Sequence, residues 1–419
     1  MRSDFPMTAP LSDLLHSFGR IGLLSFGGPA AQISLMHDEI VTRRGWMSEE
    51  RFLGALSFAM LLPGPEAMQL ATYCGWRLRG VPGGLIAGGL FVLPGAAVIL
   101  VLALAYAQFA DLSLVQAGFA GIKAAVIVIV LRALWSLAKK ALRRRAHWLL
   151  AALAFVAMYA GSVPFPLVIA VAALAGLALD QSPAPADPVP HPGHSHLART
   201  LLIWGALWAA PLALAAGMGA TFLTEIGLFF STLAVVTFGG AYAVLAYMTQ
   251  TVVETHGWLD TAQMIDALGL AETTPGPLIL VTEFVGLLAG WLQGGLSLAL
   301  LAGGMTLWVT FVPCFLWIFA GAPYVDWLLS KPRLRGALAG ISAAVVGVIL
   351  NLGLWFALHV LFERVHDSPL GPRPDWPSLS LTALGLTLLS ALFLLVLRRS
   401  IPLTLALTSL AALTLHILA

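Results

Sequence analysis

Charge is what this sequence has least of. Lys, Arg, Asp and Glu make up 10% of its 419 residues, against about 25% in soluble globular domains. Several stretches of about twenty residues carry no charge at all, among them Leu201 to Thr224 and Leu379 to Leu397. These runs exclude a soluble domain and imply an all-α, multi-pass integral membrane protein. The formal net charge is only +2, so there is no basic surplus that would point to a nucleic-acid partner. Cysteine is scarce as well. Cys74 and Cys314 lie far apart in apolar segments and read as small buried fillers, not as a disulfide or reactive thiol. There is no Gly-x-x-x-x-Gly-Lys-[Ser/Thr] loop, no His-Glu-x-x-His and no Gly-x-Ser-x-Gly. No enzymatic centre, cofactor or metal is expected. The first fourteen residues hold Arg2, Asp4, Pro6, Pro10 and Asp13, which is not the pattern of a removable signal peptide.

Glycine and proline, by contrast, mark the stretch around which the chain is organised. Leu61-Leu62-Pro63-Gly64-Pro65-Glu66 interrupts an apolar region running from Phe52 to Leu78. Neither arm reaches the roughly twenty helical residues a bilayer crossing needs, and the prolines forbid one continuous helix. The expectation is a re-entrant hairpin of two half-helices. The same break recurs at Pro275-Gly276-Pro277.

That recurrence is part of a duplication. A shift of 212 positions lays Phe26-Gly27-Gly28 on Phe238-Gly239-Gly240 and Gly45-Trp46 on Gly257-Trp258, with fourteen of forty residues identical from Phe26 to Pro65. A shift of 219 lays Gly121 to Val126 on Gly340 to Val345. The expected organisation is an N-terminal transporter repeat over 1–180, a flexible Pro/His-rich linker over 181–199, and a C-terminal repeat over 200–419. His191, His194 and His196 fall in the linker, without the further ligands a metal site needs.

Lys and Arg near segment ends set the expected orientation. Arg43, Arg44, Arg51, Arg77 and Arg79 flank the first hairpin, and Lys139 to Arg145 is the strongest basic cluster. Around the second hairpin lie Glu254, His256, Asp260, Asp266 and Glu283, with no Lys or Arg. The two halves therefore read as an inverted-topology repeat, with a cytoplasmic N-terminus and a substrate site near mid-membrane. His37, Asp38, Glu39, Arg43 and Arg44 read as a solvated cytoplasmic end. Gly27-Gly28-Pro29 is expected either to break its helix into a second re-entrant pair, the favoured reading, or to kink a single crossing.

A half-helix beginning at Pro65 or Pro277 presents amides without intrahelical acceptors, plus the positive end of its dipole, to an anion. The candidate substrate-binding residues are Pro63, Gly64, Pro65, Glu66, Gln69, Lys123, Thr273, Thr274, Pro275, Gly276 and Pro277, with Gly27, Gly28, Gly239 and Gly240. Lys123 is an expected anion ligand or counter-ion to Glu66, because a cation inside a span needs a partner. Glu66 and Glu272 are candidate proton carriers. The Thr273 and Thr274 hydroxyls could donate to an oxyanion or satisfy freed carbonyls. Arg132 reads as snorkelling to the inner surface.

Phe26-Gly27-Gly28-Pro29, Arg44-Gly45-Trp46, Leu62-Pro63-Gly64-Pro65 and Gly75-Trp76-Arg77, in this order, resemble the chromate ion transporter family. The echo from Phe238 to Pro277 and the total length resemble its long two-domain members. The family's motif residues map onto Phe26, Gly27, Gly28, Pro29, Trp46, Pro63, Gly64, Pro65 and Gly75. In the second half Pro29 becomes Ala241 and Glu66 becomes Leu278. The resemblance implies a permease of the bacterial inner membrane that exports chromate and confers resistance, with sulfate as the isosteric competitor. Protons as coupling ion, surrounding lipid and a homodimer are compatible partners. A sulfate or other oxyanion permease, a membrane enzyme acting on lipid-phosphate head groups, and a structural subunit are the alternatives.

Overall fold

The computed structural model describes residues 9–26, 28–161, 163–179, 197–238, 241–329, 331–366, 368 and 371–418. The linker histidines His191, His194 and His196 lie outside them, as do Gly27, Gly239 and Gly240. The described residues are overwhelmingly helical, as expected where no water can satisfy backbone polar groups. Among the described residues, six helical segments are long and apolar enough to cross a membrane: Glu66–Phe109, Ser113–Ala141, Leu197–Gly217, Leu278–Tyr324, Arg333–Leu361 and Ile401–Leu418. Large side chains such as Leu202, Leu214 and Trp148 stand exposed, which suits contact with lipid.

Helices follow in the order α1 (Leu11–Leu24), α2 (Gly28–His37), α3 (Glu49–Ala59), α4 (Glu66–Phe109), α5 (Ser113–Ala141), α6 (Arg145–Tyr159), α7 (Phe165–Leu179) and α8 (Leu197–Gly217). Then come α9 (Thr221–Val236), α10 (Ala241–Gln250), α11 (Thr261–Thr273), α12 (Val281–Gly321), α13 (Val325–Leu329), α14 (Pro332–Leu361), α15 (Leu381–Ala391) and α16 (Ile401–Leu418). The chain does break before Gly28, where α2 starts at φ +81°. The run from Leu379 to Leu397 is not one continuous α-helix. α15 ends at Ala391, a wider turn over Leu392–Val396 follows, and Arg398 takes φ +51°.

The same backbone irregularities occur in both sequence halves. Arg44 N–H donates to Glu39 O and Trp46 N–H to Ile40 O, closing widened turns; His256 to Thr251 O and Trp258 to Val252 O repeat them 212 residues on. Gly45 and Gly257 then take φ +59° and +60°. The long helices α4 and α12 each kink once, at Arg79-Gly80 and Gly294-Gly295, with Gly80 at φ +63° and Gly295 at +69°. Positive φ costs an L-residue roughly 1–2 kcal/mol and glycine little, so these glycines are what let the long helices turn.

The described residues form two compact units, each drawn from both sequence halves. The first takes residues within Met1–Leu104, Pro183–Ala241 and Thr274–Lys331. Phe58, Ile318, Phe319 and Val325 form one cluster of its core, with Trp204 stacked on Phe315 at 5.8 Å. Pro94 cannot donate to the Leu90 carbonyl one turn before it. Gly22 of α1 packs against that carbonyl so closely that a Cβ there would lie 1.9 Å from Leu90 O.

The second unit takes residues within Ala105–Ser182, Tyr242–Thr273 and Pro332–Ala419. Lipid supplies no hydrophobic drive between helices, so close packing by small residues does the joining. A Cβ on Gly121 would meet Thr408 O at 2.3 Å, one on Gly340 would meet Ala172 O at 2.3 Å, and one on Gly347 would meet Ala151 O at 2.0 Å. Between α14 and α15 the described residues include a two-stranded antiparallel ribbon, Val365–His366 with Arg373–Pro374.

Candidate functional site

Both Pro-Gly-Pro breaks belong to the first unit. α3 stops at Ala59 and α4 starts at Glu66; between them Gly64 takes φ +118°. α11 stops at Thr273, Gly276 takes φ +88°, and a short tight turn over Leu278–Leu280 leads into α12. Each elbow is tied by its central glycine to the opposite half of the sequence. Gly64 N–H donates to Thr237 O at 2.9 Å, and Gly276 N–H donates to Ser25 O at 2.9 Å. Ser25 and Thr237 are themselves 212 positions apart, and their hydroxyls donate to Ile21 O and Leu233 O. These glycine amides are therefore committed to the fold. The amides without an intrahelical acceptor are those further on. The first intrahelical bond of α4 runs from Gln69 N–H to Pro65 O, so Ala67 and Met68 have no intrahelical acceptor. Leu280 N–H donates to Pro277 O, which leaves Leu278 and Ile279 in the same condition.

Two glutamines fasten the elbow carbonyls. Gln69, fully buried, donates from Nε2 to Pro63 O at 2.6 Å. Gln32, 2% exposed, donates to Gly276 O at 2.7 Å and to Ser25 O at 3.3 Å. Each elbow also packs on the long helix that follows the other. A Cβ on Gly64 would lie 3.0 Å from Cys314 Sγ of α12, and one on Gly95 of α4 would lie 2.2 Å from Pro275 O. Glu66, half-buried, opens α4. Thr274 is buried.

Gly28 lies in the first unit as well; Lys123, Glu272 and Thr273 lie in the second. Lys123 does find a carboxylate, but it is Asp266: Nζ stands 3.1 Å from Oδ1. Tyr106 donates to the other oxygen of Asp266 at 2.8 Å. Asp266, in sequence one of the acidic residues flanking the second hairpin, is 6% exposed. α11 can bring it to α5 because Gly269 lets the helices close, a Cβ there falling 2.4 Å from Ile122. Glu272 is buried and accepts from the Tyr242 hydroxyl at 2.8 Å. Thr273 spends its hydroxyl on Leu270 O at 2.7 Å, satisfying a helix-end carbonyl. Arg132 is exposed.

Sequence reasoning also missed the character of Glu39. It is not part of a solvated end: its side chain is 7% exposed. It accepts from Ser17 Oγ at 2.9 Å and Arg44 Nε at 3.3 Å, with Arg20 Nη1 at 3.4 Å and Arg43 Nη1 at 3.7 Å. Burial pushes the carboxyl up, but the Ser17 hydrogen bond and the Arg44 and Arg20 guanidinium groups outweigh it and hold it below the ordinary carboxylate value. The spacing of Arg20 from Glu39 gave no signal of this, since α1 must fold back on α2 first. Among the described residues, no group of His, Cys, Asp and Glu is placed to hold a metal ion.

The sequence model of the family described as chromate transporter matches residues 12–177 and 224–415. The chain is 31% identical over 363 residues to the chromate transport protein of Cupriavidus metallidurans, covering 82% of each chain. It is 31% identical to the probable chromate transport protein of Synechococcus elongatus, covering 86% of each. The chromate transport protein of Pseudomonas aeruginosa is 31% identical over 399 residues, 92% of this chain and 88% of that one. No solved structure matches the chain. Matched across both halves, and built of apolar helices around paired Pro-Gly-Pro elbows, the chain belongs to the chromate transporter family, a family of transport proteins rather than enzymes.

Proposed function

We propose that this chain is a secondary transporter that exports chromate, a tetrahedral dianion, across the bacterial inner membrane by alternating access. The observation that carries the reading is the paired elbow. Two half-helix starts, held by reciprocal glycine hydrogen bonds in one compact unit, offer unspent backbone donors of the kind that bind oxyanions. The relatives named as chromate transport proteins support chromate as the anion. We read the elbows as re-entrant hairpins of an inverted repeat, the first opening inward and the second outward. The support is the length of their arms and the Lys/Arg bias of their flanks. In this reading the N-terminus is cytoplasmic.

Export of a dianion from a cell with an inside-negative potential is favoured by about 2.3 kcal/mol per charge per 100 mV. The potential alone can therefore drive it, and protonation of intramembrane carboxylates offers a second coupling. Lys123, held by Asp266, is a cation that an arriving anion could claim from its carboxylate. Purified protein in chromate-loaded liposomes tests the reading. Efflux that saturates and is inhibited by sulfate supports it, and absence of chromate flux removes it. Sulfate flux faster than chromate flux would make chromate the passenger. Accessibility of single cysteines at Arg51 and Asp260 tests the orientation: the proposal requires opposite sides.

A further inference from the structure

Buried carboxylates in the candidate spans and elbow arms differ in one respect, the company they keep. Asp266 has Lys123 and Tyr106, and Glu272 has Tyr242. Glu283 has nothing. It sits six residues past Pro277, in the first turn of α12 and within the Leu278–Tyr324 span. The residue is 5% exposed, and its Oε2 is buried with no hydrogen-bond partner among the described residues.

The threonine hydroxyls of α12 do not serve it. Thr282 donates to Ile279 O at 2.9 Å and Thr306 donates to Gly303 O at 2.8 Å. Cys314, on the returning arm of α12, donates to Thr310 O. The charged side chains described on the elements that pack against α12 are Glu225 of α9, Arg199 of α8, Glu49, Glu50 and Arg51 of α3, and Glu66, Arg77 and Arg79 of α4. Among the described residues none of these forms an ion pair or hydrogen bond with Glu283. An ionised carboxylate closed off in this way bears its desolvation cost with no partner to offset it. A neutral carboxylic acid avoids that cost.

We propose that Glu283 is a proton-binding site of the transport cycle: protonated while enclosed as seen here, and deprotonated when the cycle opens the second elbow to water. The inference rests on the transport reading above. The proton comes from water on the side to which the elbow opens and returns to water, with no other reactant. Position gives the site its consequence. A carboxylate charge less than two turns from the Pro277 half-helix start would oppose a dianion there, whereas the neutral acid would not. Protonation and anion binding are thereby linked, and linkage of this kind is reciprocal.

The test is Glu283→Gln, which copies the neutral acid in shape and cannot lose a proton. In wild-type proteoliposomes chromate flux should vary with pH and be accompanied by proton movement, read by an entrapped pH dye. In Glu283→Gln the proton movement and the pH dependence should be lost, while chromate–chromate exchange persists. Infrared difference spectra of the purified protein add a readout independent of transport: a protonated-carboxyl C=O band present in wild type and missing in the variant. Should Glu283→Gln fail to insert, Glu283→Asp should keep proton movement with a displaced pH profile. A Glu283→Gln protein with wild-type proton flux and pH profile, or one retaining the full carboxyl band, overturns the assignment. Wild-type vesicles that move no chromate at all overturn the transport reading itself.

Discussion

The amide of Gly64 donates to the carbonyl of Thr237 across 173 residues of sequence, at 2.9 Å. Its counterpart, Gly276 to Ser25, has the same length. Each half thus supplies the acceptor that fixes the other half's elbow, so neither elbow is set by its own half alone. Both glycines take positive φ, and a Cβ would press on Gln69 and Cys314 at the first elbow and on Leu280 at the second. Gly64→Ala and Gly276→Ala should each destabilise the protein by about 1–3 kcal/mol. Thermal unfolding of the purified variants measures this; a midpoint equal to wild type in both would show that the elbows relax without strain.

Lys123, half-buried, and Asp266, buried, form an ion pair that the sequence offered only as separate charges. Removing one partner strands the other, a loss of about 3–5 kcal/mol for a fully buried pair. Here it is less, because Lys123 keeps 25% side-chain exposure. Lys123→Ala and Asp266→Asn should each lower the unfolding midpoint, and the double variant should fall short of their sum. The shortfall, a coupling of about 1–3 kcal/mol, comes from a double-mutant cycle. Strict additivity would mean the contact contributes nothing.

Glu39 gives the chain an acid-sensitive joint between α1 and the turn after α2. Its carboxyl is held below the ordinary value. The stabilisation is therefore fully present above that ordinary value and is lost as pH falls through the lowered one. Glu39→Gln should lower the midpoint at neutral pH, and its midpoint should change less than wild type between about pH 5 and pH 3. Parallel pH profiles would contradict the arrangement.

Gly22 and Gly347 mark helix contacts with no room for a side chain. Replacing either by Val forces backbones apart and should cost upwards of about 2 kcal/mol. Gly19, with nothing within 4 Å of its Cβ direction, is the control: Gly19→Ala should leave stability unchanged or slightly raised, by up to about 1 kcal/mol.

The elbows were legible in the sequence because proline and glycine act locally: Pro63-Gly64-Pro65 ends a helix wherever it is placed. The break before Gly28 was legible for the same reason. Glu39, Asp266 and Glu283 were not. Each lies near a segment end in sequence, where a charge reads as solvated, and only the folding of neighbouring helices over it decides otherwise. The Gly64–Thr237 and Gly276–Ser25 bonds join backbone atoms, which leave no mark in side-chain pattern. What the sequence did carry was the 212-residue shift relating all four positions.

Chromate flux through purified protein in liposomes, compared among wild type, Gly64→Ala and Gly276→Ala, bears most directly on the role of the elbows. Wild type should show saturable, sulfate-inhibited efflux under an inside-negative potential. Both variants should lose it while remaining monodisperse and folded. Wild-type flux from either folded variant would contradict an oxyanion site built on the paired elbows.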